Sequence, residues 1–162
     1  MRNADQATRI AAFLDGHRVM SLATCGPNGP HAANLFYVRD GFALLWVSDP
    51  ASEHSMHLSE RARVAATIAA ECRDCADIKG LQIHGEAWRI VQAEERSARS
   101  RLEARFTFLR QIGSGSAELR EAYDRAAFYR LQPSRIVFID NERGFGFKEA
   151  MDVDGGHSER PH

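Results

Sequence analysis

The spacing of hydrophobic positions changes within the first 25 residues of the chain. Over residues 4–14, Ile10 and Leu14 fall on one side of a helix, and Gly16 follows as a stop. The next segment, HRVMSLATC (17–25), alternates in the manner of a strand that buries one face. The pattern therefore predicts a short N-terminal helix followed directly by sheet.

Turn residues separate the next hydrophobic segments. GPNGP at 26–30 contains two Gly, two Pro and one Asn, and RDG at 39–41 offers a glycine for a hairpin turn. HAANLFYV (31–38) and FALLWV (42–47) follow these turns, and the second is apolar throughout, as in a central strand. Strands joined by tight turns predict an antiparallel meander rather than a βαβ unit.

The remaining periodic segments complete the prediction of a small barrel with attached helices. Ser116 is a good N-cap for the second of two later helices. Strands are predicted at 62–70, 78–91 and 134–140, helices at 94–110 and 117–129, and a short edge at 145–147. We expect a single domain over residues 1–149 and a disordered, Gly-rich polar tail over 150–162.

Composition restricts the function classes. With 44% hydrophobic and 27% charged residues among 162, the chain is typical of one globular domain. It has 21 Lys plus Arg against 22 Asp plus Glu, a formal charge of −1, which gives no reason to expect nucleic acid or an anionic membrane as a partner. The N-terminus lacks the apolar core of a signal peptide, so we expect a cytoplasmic protein.

Three cysteines include one CRDC pair, Cys72 and Cys75. A structural zinc site needs four ligands, and the sequence has no second CxxC pair to complete one. A thioredoxin-like site is also disfavoured, because the motif does not open a helix after a strand. A thiol-bearing loop between strands is the favoured interpretation.

The stretch VSDPASEHSMHLSE (47–60) is the main candidate for binding chemistry. Asp49 or Ser52 can cap a helix there, so the free first-turn N–H groups point toward the end of the preceding strand. Ser48 and Ser52 add hydroxyl donors, and His54 becomes a cation when it is protonated. This combination suits an anion such as a phosphate monoester.

Two other interpretations of this stretch remain open. The first is a capped helix whose histidines are exposed to solvent. The second is a metal site formed by His54 and His57, but the sequence offers no carboxylate or thiol at a convincing spacing to complete it. The rest of the sequence contains no GxSxG elbow, no P-loop and no GxGxxG motif. We therefore assign no catalytic residue. The aromatic residues Phe36, Tyr37 and Trp46 fit a core or the wall of a flat ligand site.

Three segments together resemble one known family. They are ANLFYVRDGFALLWVSDPASEHSMHLSERARVAATI, IKGLQIHGEAWRIV and YRLQPSRIVFIDNERGFGFKE, which span roughly residues 18–149. The chain resembles the pyridoxamine 5′-phosphate oxidase-like, flavin-binding split-barrel superfamily, in a small and poorly characterised bacterial branch. The resemblance implies a mainly β fold, a six-stranded antiparallel split barrel with flanking helices. It also implies a homodimer that holds flavin mononucleotide (FMN) in the cleft between subunits.

The resemblance also implies site residues, position by position. Asn34, Leu35 and Phe36 fall beside the isoalloxazine, Val47 and Ser48 at the end of the next strand, Ser52, Glu53 and His54 at the phosphate, and Phe145 toward the partner's cofactor.

Four positions depart from the family pattern: Ala32 replaces an Arg, Tyr37 and His54 each replace a Lys, and Gly80 replaces a Gln. With His54 in place of a Lys, we expect the phosphate grip to weaken as the pH rises.

The implied activity is that of an FMN-dependent oxidoreductase of small molecules or a flavin reductase with a nicotinamide donor. The alternatives are a non-catalytic carrier or sensor dimer for flavin or haem, and an apo protein with a decayed pocket. For haem, the sequence offers only His157 and His162 in the tail.

Overall fold

An antiparallel sheet that curls into a half-barrel forms the body of the molecule, with helices at its flanks. The computed structural model describes residues 2–153. Within them the strands are β1 (Val19–Gly26), β2 (Gly29–Phe36), β3 (Val38–Asp40), β4 (Ala43–Ser48), β5 (Arg63–Ala69), β6 (Lys79–Arg89), β7 (Ala127–Asp140) and β8 (Lys148–Asp152). The helices are α1 (Arg2–Gly16), α2 (Glu53–Glu60), α3 (Gln92–Arg105), α4 (Thr107–Gln111) and α5 (Ala117–Arg125).

The strand order is β2-β1-β5-β6-β7-β4-β3, and β8 pairs with β7. Every pairing is antiparallel, so the predicted mainly β, antiparallel split barrel with flanking helices is confirmed. The described residues contain eight strands rather than the six predicted. The number rises because the second predicted strand divides at Tyr37 into β2 and β3, and because β8 follows the turn after β7.

Two predicted helices have different ends in the structure. The helix expected over 94–110 is divided at Phe106 into α3 and α4, and the Phe106 ring is 1% exposed. The helix expected over 117–129 ends at Arg125, because residues 127–129 begin β7 and pair with β4. Two of these three residues, Phe128 and Tyr129, are aromatic and favour strands, and all three side chains are buried in the sheet.

The end of the chain continues the sheet further than predicted. Residues 150–152, assigned to the disordered tail, lie in β8 opposite residues 135–137. The rest of that tail, with His157 and His162, lies outside the described residues.

Two hydrophobic clusters meet at β4, whose position as an internal strand agrees with its apolar sequence. Leu44 and Trp46 point into the barrel, where the Trp46 ring stacks on Tyr129 at 5.5 Å between centroids. Leu45 points to the other face and packs in the cluster that contains Leu102 of α3. Burial on both faces fixes β4 rigidly, and its last residue leads directly into the turn before α2. Across residues 2–153, every helix is too short or too polar to cross a lipid bilayer.

Candidate functional site

A tight turn joins the end of β4 to the start of α2. The Asp49 side chain accepts a hydrogen bond from the Ala51 N–H at 2.8 Å, and the Ser52 N–H donates to the Asp49 carbonyl at 3.0 Å. Ser52 occupies the N-cap position, as predicted, but its hydroxyl donates to the Asp49 carbonyl at 2.7 Å instead of capping the helix. The first-turn N–H groups of α2 therefore receive no cap from Ser52.

Four side chains meet at this helix start and form what we call the hydroxyl cradle: Ser48, Ser52, His54 and Ser55. The His54 Nε2 atom lies 2.8 Å from Ser48 Oγ and 3.1 Å from Ser52 Oγ. Ser52 Oγ lies 2.8 Å from Ser55 Oγ and 3.4 Å from Ser48 Oγ. The cradle thus concentrates three hydroxyls and one imidazole beside the positive end of a helix.

His54 is buried and uncharged at neutral pH. The residue is only 7% exposed. This burial lowers the pKa of the imidazole below its ordinary value of 6.5. The nearby imidazoles of His31 and His57 lower this pKa further. At this position, where the resemblance implies a Lys in the family, this protein therefore has a neutral hydrogen-bonding group and not a fixed cation.

Glu53 lies on the other side of the helix start, between two histidines. Its Oε2 atom is 3.2 Å from Nδ1 of His31, and its Oε1 atom is 3.8 Å from Nε2 of His57. The other ring nitrogen of His57 lies 3.0 Å from Thr24 Oγ1. Among residues 2–153, no group of three or more His, Cys, Asp or Glu is arranged to hold a metal ion. Glu53 is thus engaged by imidazoles, which holds its carboxylate at the edge of the cradle.

Strand β2 connects this region to an aromatic surface. Leu35 packs against the main core, and Asn34 Oδ1 accepts a hydrogen bond from Ser21 at 2.7 Å. The Phe36 ring is 52% exposed and lies 5.3 Å from Phe106 and 5.4 Å from Phe108. The three residues predicted to lie beside the isoalloxazine therefore differ in exposure. Leu35 is largely internal, whereas Asn34 and Phe36 face outward.

The remaining predicted positions lie in different surroundings. Val47 packs against the helical cluster, and Phe145 is 87% exposed on a turn between two glycines. Tyr37 is fully buried, and its hydroxyl donates to the Leu14 carbonyl at 2.8 Å. Burial also raises the Tyr37 pKa, so this side chain is a core residue that anchors α1. Ala32 lies exposed on the outer face of β2.

The structure adds residues that the sequence analysis did not single out. A cavity of about 190 Å³ beside α2 is lined by both Ser55 and Arg89, so Arg89 shares a cavity with one member of the cradle. His31 reaches Glu53 from β2, and the register places His31 opposite Thr24. The predicted hairpin at 26–30 pairs these two residues and could have indicated them. By contrast, nothing local to the sequence indicates Arg89.

The geometry can be compared with known proteins. Residues 7–140 match the sequence model of the pyridoxamine 5′-phosphate oxidase family. A UPF0306 protein from Klebsiella pneumoniae is 33% identical over 149 residues, which is 91% of this chain and 93% of the relative.

Two solved structures have a similar fold. A heme binding protein from Mycobacterium smegmatis superposes with a TM-score of 0.68 at 22% identity; the match covers 92% of this chain but only 57% of the longer mycobacterial chain. A FAD-binding protein from Mesorhizobium loti superposes with a TM-score of 0.64 at 14% identity, over 80% of this chain and 91% of its own. The split barrel is thus a fold shared with flavin- and haem-binding proteins. From the match over residues 7–140, the chain belongs to the pyridoxamine 5′-phosphate oxidase family.

Proposed function

We propose that the protein binds FMN, with the phosphate at the hydroxyl cradle and the isoalloxazine beside Asn34, Leu35 and Phe36. The observation that supports this most is the cradle itself, in which neighbouring polar atoms lie 2.8–3.4 Å apart at a helix start. A phosphate has several acceptor oxygens, and it is stabilised by hydroxyl donors together with the free N–H groups of a helix N-terminus.

The length of β2 supports the same orientation of the ligand. His31 lies against Glu53 at the cradle end, and Phe36 is five residues further along the strand. At about 3.3 Å per residue, the separation is roughly 16 Å. This length suits an extended FMN, which would place its ring beside the exposed Phe36 side chain and the Asn34 amide.

The residues of the cradle fit a phosphate by hydrogen bonding more than by charge. Ser48 donates to the phosphate oxygens, and Ser52 does so once its hydroxyl turns away from the Asp49 carbonyl. His54 takes up a proton when the dianion binds, because an opposite charge stabilises the imidazolium. Arg89 contributes positive potential from the cavity that it shares with Ser55. FMN supplies hydride and electron transfer when it is bound. The chain's own residues hold and orient it.

A homodimer is part of the proposal. The outer face of β1 and β2 is exposed, yet it carries small or uncharged side chains: Val19, Ser21, Ala23, Cys25, Ala32, Asn34 and Phe36. An exposed sheet face without charges is typical of a surface that packs against a partner. We place the cofactor in the cleft between two copies, with the exposed Phe145 ring directed toward the partner's ligand.

The activity that we propose is oxidoreduction of a small molecule, or flavin reduction by a nicotinamide donor. Haem binding is a second candidate, and one observation favours it. His31 directs Nδ1 to the Glu53 carboxylate, the arrangement in which metal-ligating histidines present their other nitrogen to iron. The M. smegmatis protein of similar fold is a heme binding protein.

Titration of the purified protein distinguishes these functions. We expect FMN to bind more tightly than riboflavin, which lacks the phosphate, as measured by quenching of flavin fluorescence. Ser52→Ala removes one hydrogen bond to a charged group, worth about 1.5–3 kcal/mol, and should weaken FMN binding by about 10- to 150-fold. Ser114→Ala is the matched control, because Ser114 also donates to a carbonyl, that of Gln111, but lies outside the cradle.

Three outcomes would contradict the FMN proposal. FMN and riboflavin could bind equally, which would remove the phosphate from the cradle. Ser52→Ala could leave FMN affinity unchanged while its thermal unfolding shows an intact fold. The protein could also take up no flavin, in which case a Soret band on addition of haem would establish the second candidate, and its absence would indicate a decayed pocket.

A further inference from the structure

The loop between β5 and β6 exposes two thiols, those of Cys72 and Cys75. The chain bends at the two intervening residues, Arg73 and Asp74. The Asp74 carboxylate accepts a hydrogen bond from the Ala76 N–H at 2.6 Å and so starts a short 3₁₀ turn. Residues 71–78 are all exposed, so both thiols of this CxxC pair are accessible to a small disulfide.

Asn141 fastens this loop to the turn that presents Phe145. Its side-chain Nδ2 donates to the Cys75 carbonyl at 2.7 Å, and its backbone N–H donates to the Ile78 carbonyl at 3.0 Å. On the other side, Asn141 Oδ1 accepts from the Gly146 N–H at 3.0 Å. A single side chain, only 9% exposed, therefore bonds to both segments.

The Phe145 turn is closed by backbone hydrogen bonds, from the Gly144 N–H to the Asn141 carbonyl at 3.1 Å and from the Phe147 N–H to the Gly144 carbonyl at 2.9 Å. Gly144 and Gly146 adopt φ of 142° and 76°, values that favour glycine, and between them the Phe145 ring is 87% exposed. Its side chain therefore packs little on its own protomer. The bond from the Gly146 N–H to Asn141 Oδ1 adds a side-chain contact to this backbone turn, next to the Phe145 ring.

We propose that Cys72 and Cys75 form a reversible disulfide by exchange with a low-molecular-weight disulfide, and that this disulfide releases the Phe145 turn through Asn141. In the first step one protein thiolate attacks a sulfur of the small disulfide, forms a mixed disulfide and expels one small thiolate. The second protein thiolate then attacks the protein sulfur of the mixed disulfide and expels the second thiolate. Two protein thiols are oxidised, one small disulfide is reduced, and two protons pass from the protein to the departing thiolates.

Ring closure acts on the backbone of Cys75. The disulfide draws Cys75 toward Cys72, and the Cys75 carbonyl moves away from Asn141 Nδ2. The Asn141 side chain then loses one of its two partners, and its hold on the Gly146 N–H weakens. This effect does not depend on which ligand the protein binds, so it can fail or succeed independently of the proposed FMN site.

The test compares the full-length protein in reduced glutathione and in oxidised glutathione. Mass spectrometry of the peptide with residues 72–75 should show a loss of two hydrogens in oxidised glutathione. Because exposed Cys25 can itself exchange with glutathione, thiols are titrated in Cys25→Ser, where they should fall from two groups to none. Hydrogen–deuterium exchange of the Gly146 amide, followed within residues 141–147, should become about five- to tenfold faster after oxidation, because its one hydrogen bond to Asn141 Oδ1 is weakened. Reduction by dithiothreitol should restore the slow exchange.

Variants separate the disulfide from its effect. Cys72→Ser should abolish both the mass change and the change in exchange, whereas Cys25→Ser should leave both. Asn141→Asp removes the Nδ2 donor with little change of shape, and oxidation should then no longer alter exchange at 141–147. Thiols that stay reduced in oxidised glutathione would overturn the proposed disulfide, and a disulfide that leaves the exchange unchanged would overturn the coupling.

Discussion

A methyl group at Gly26 would collide with the His57 ring. A Cβ atom built on Gly26 would lie 2.0 Å from Nε2, 2.3 Å from Cδ2 and 2.8 Å from Cε1 of that ring. His57 is 7% exposed and bonded to Thr24, so the ring has little free space into which it could move. Gly26 lies at the end of β1, and its backbone is not among the positive-φ glycines, so alanine itself causes no backbone strain there.

Two opposing effects set the change in the free energy of unfolding that Gly26→Ala causes. Forcing a methyl group into a packed site typically costs about 1–3 kcal/mol. Replacing glycine with alanine also restricts the unfolded chain, which stabilises the protein by about 0.4–1 kcal/mol. We therefore expect Gly26→Ala to lower the free energy of unfolding by roughly 1–2 kcal/mol. When His57→Ala removes the ring, only the second effect remains, and Gly26→Ala should stabilise by about 0.4–1 kcal/mol.

Urea unfolding measures this double-mutant cycle. Fluorescence of Trp46, which is fully buried, reports the transition, and all four proteins are compared at one concentration with the urea dependence checked for change. We expect Gly26→Ala to lower the free energy of unfolding in the wild-type background and to raise it in the His57→Ala background. If Gly26→Ala destabilises both backgrounds equally, the His57 ring is not the cause, and the packing described at the helix start is incorrect.

Gly85→Ala should destabilise by about 3 kcal/mol or more in the same assay, because a Cβ there would lie 2.2 Å from the Gln132 carbonyl oxygen, a backbone atom at a bulge. If Gly85→Ala destabilised the protein less than Gly26→Ala does, this prediction would be wrong. His54 should make the protein less stable as the pH falls below 6.5, because its pKa is lowered and the unfolded chain then binds more protons than the folded one. His54→Gln should flatten this part of the pH profile relative to wild type, whereas the exposed His84→Gln should not. Equal profiles for wild type and His54→Gln would show that His54 is not buried as described.

Local pattern was sufficient for much of the fold and for part of the site. The turn residues at 26–30 and 39–41 predicted the meander, and Ser52 was correctly placed at the start of a helix. Hydroxyls and an imidazole close together in the chain were expected to cluster, and they do. Each of these predictions depends on residues within a few positions of one another, where spacing alone determines the geometry.

Predictions failed where distant segments meet. The predicted helix was extended through Ala127–Tyr129, which form strand because β4 offers them hydrogen bonds and a buried surface. The pairing of Glu53 with His31 was not predicted, since it joins α2 to β2. For Tyr37 the sequence left open a core position, a ligand wall and a replacement at a phosphate contact, and in the structure it turns inward to bond with Leu14.

Spacing along the chain was enough to give the period of most elements, the turns at 26–30 and 39–41 and the polar groups at the start of α2. The chemical state of those polar groups was set only when the chain folded. Burial and two neighbouring imidazoles keep His54 neutral, and Arg89 shares a cavity with Ser55 of the cradle. Asn141 joins the thiol loop to the Phe145 turn. Burial and contacts between distant segments arise when the sheet assembles, and charge and hydrogen bonding respond to them.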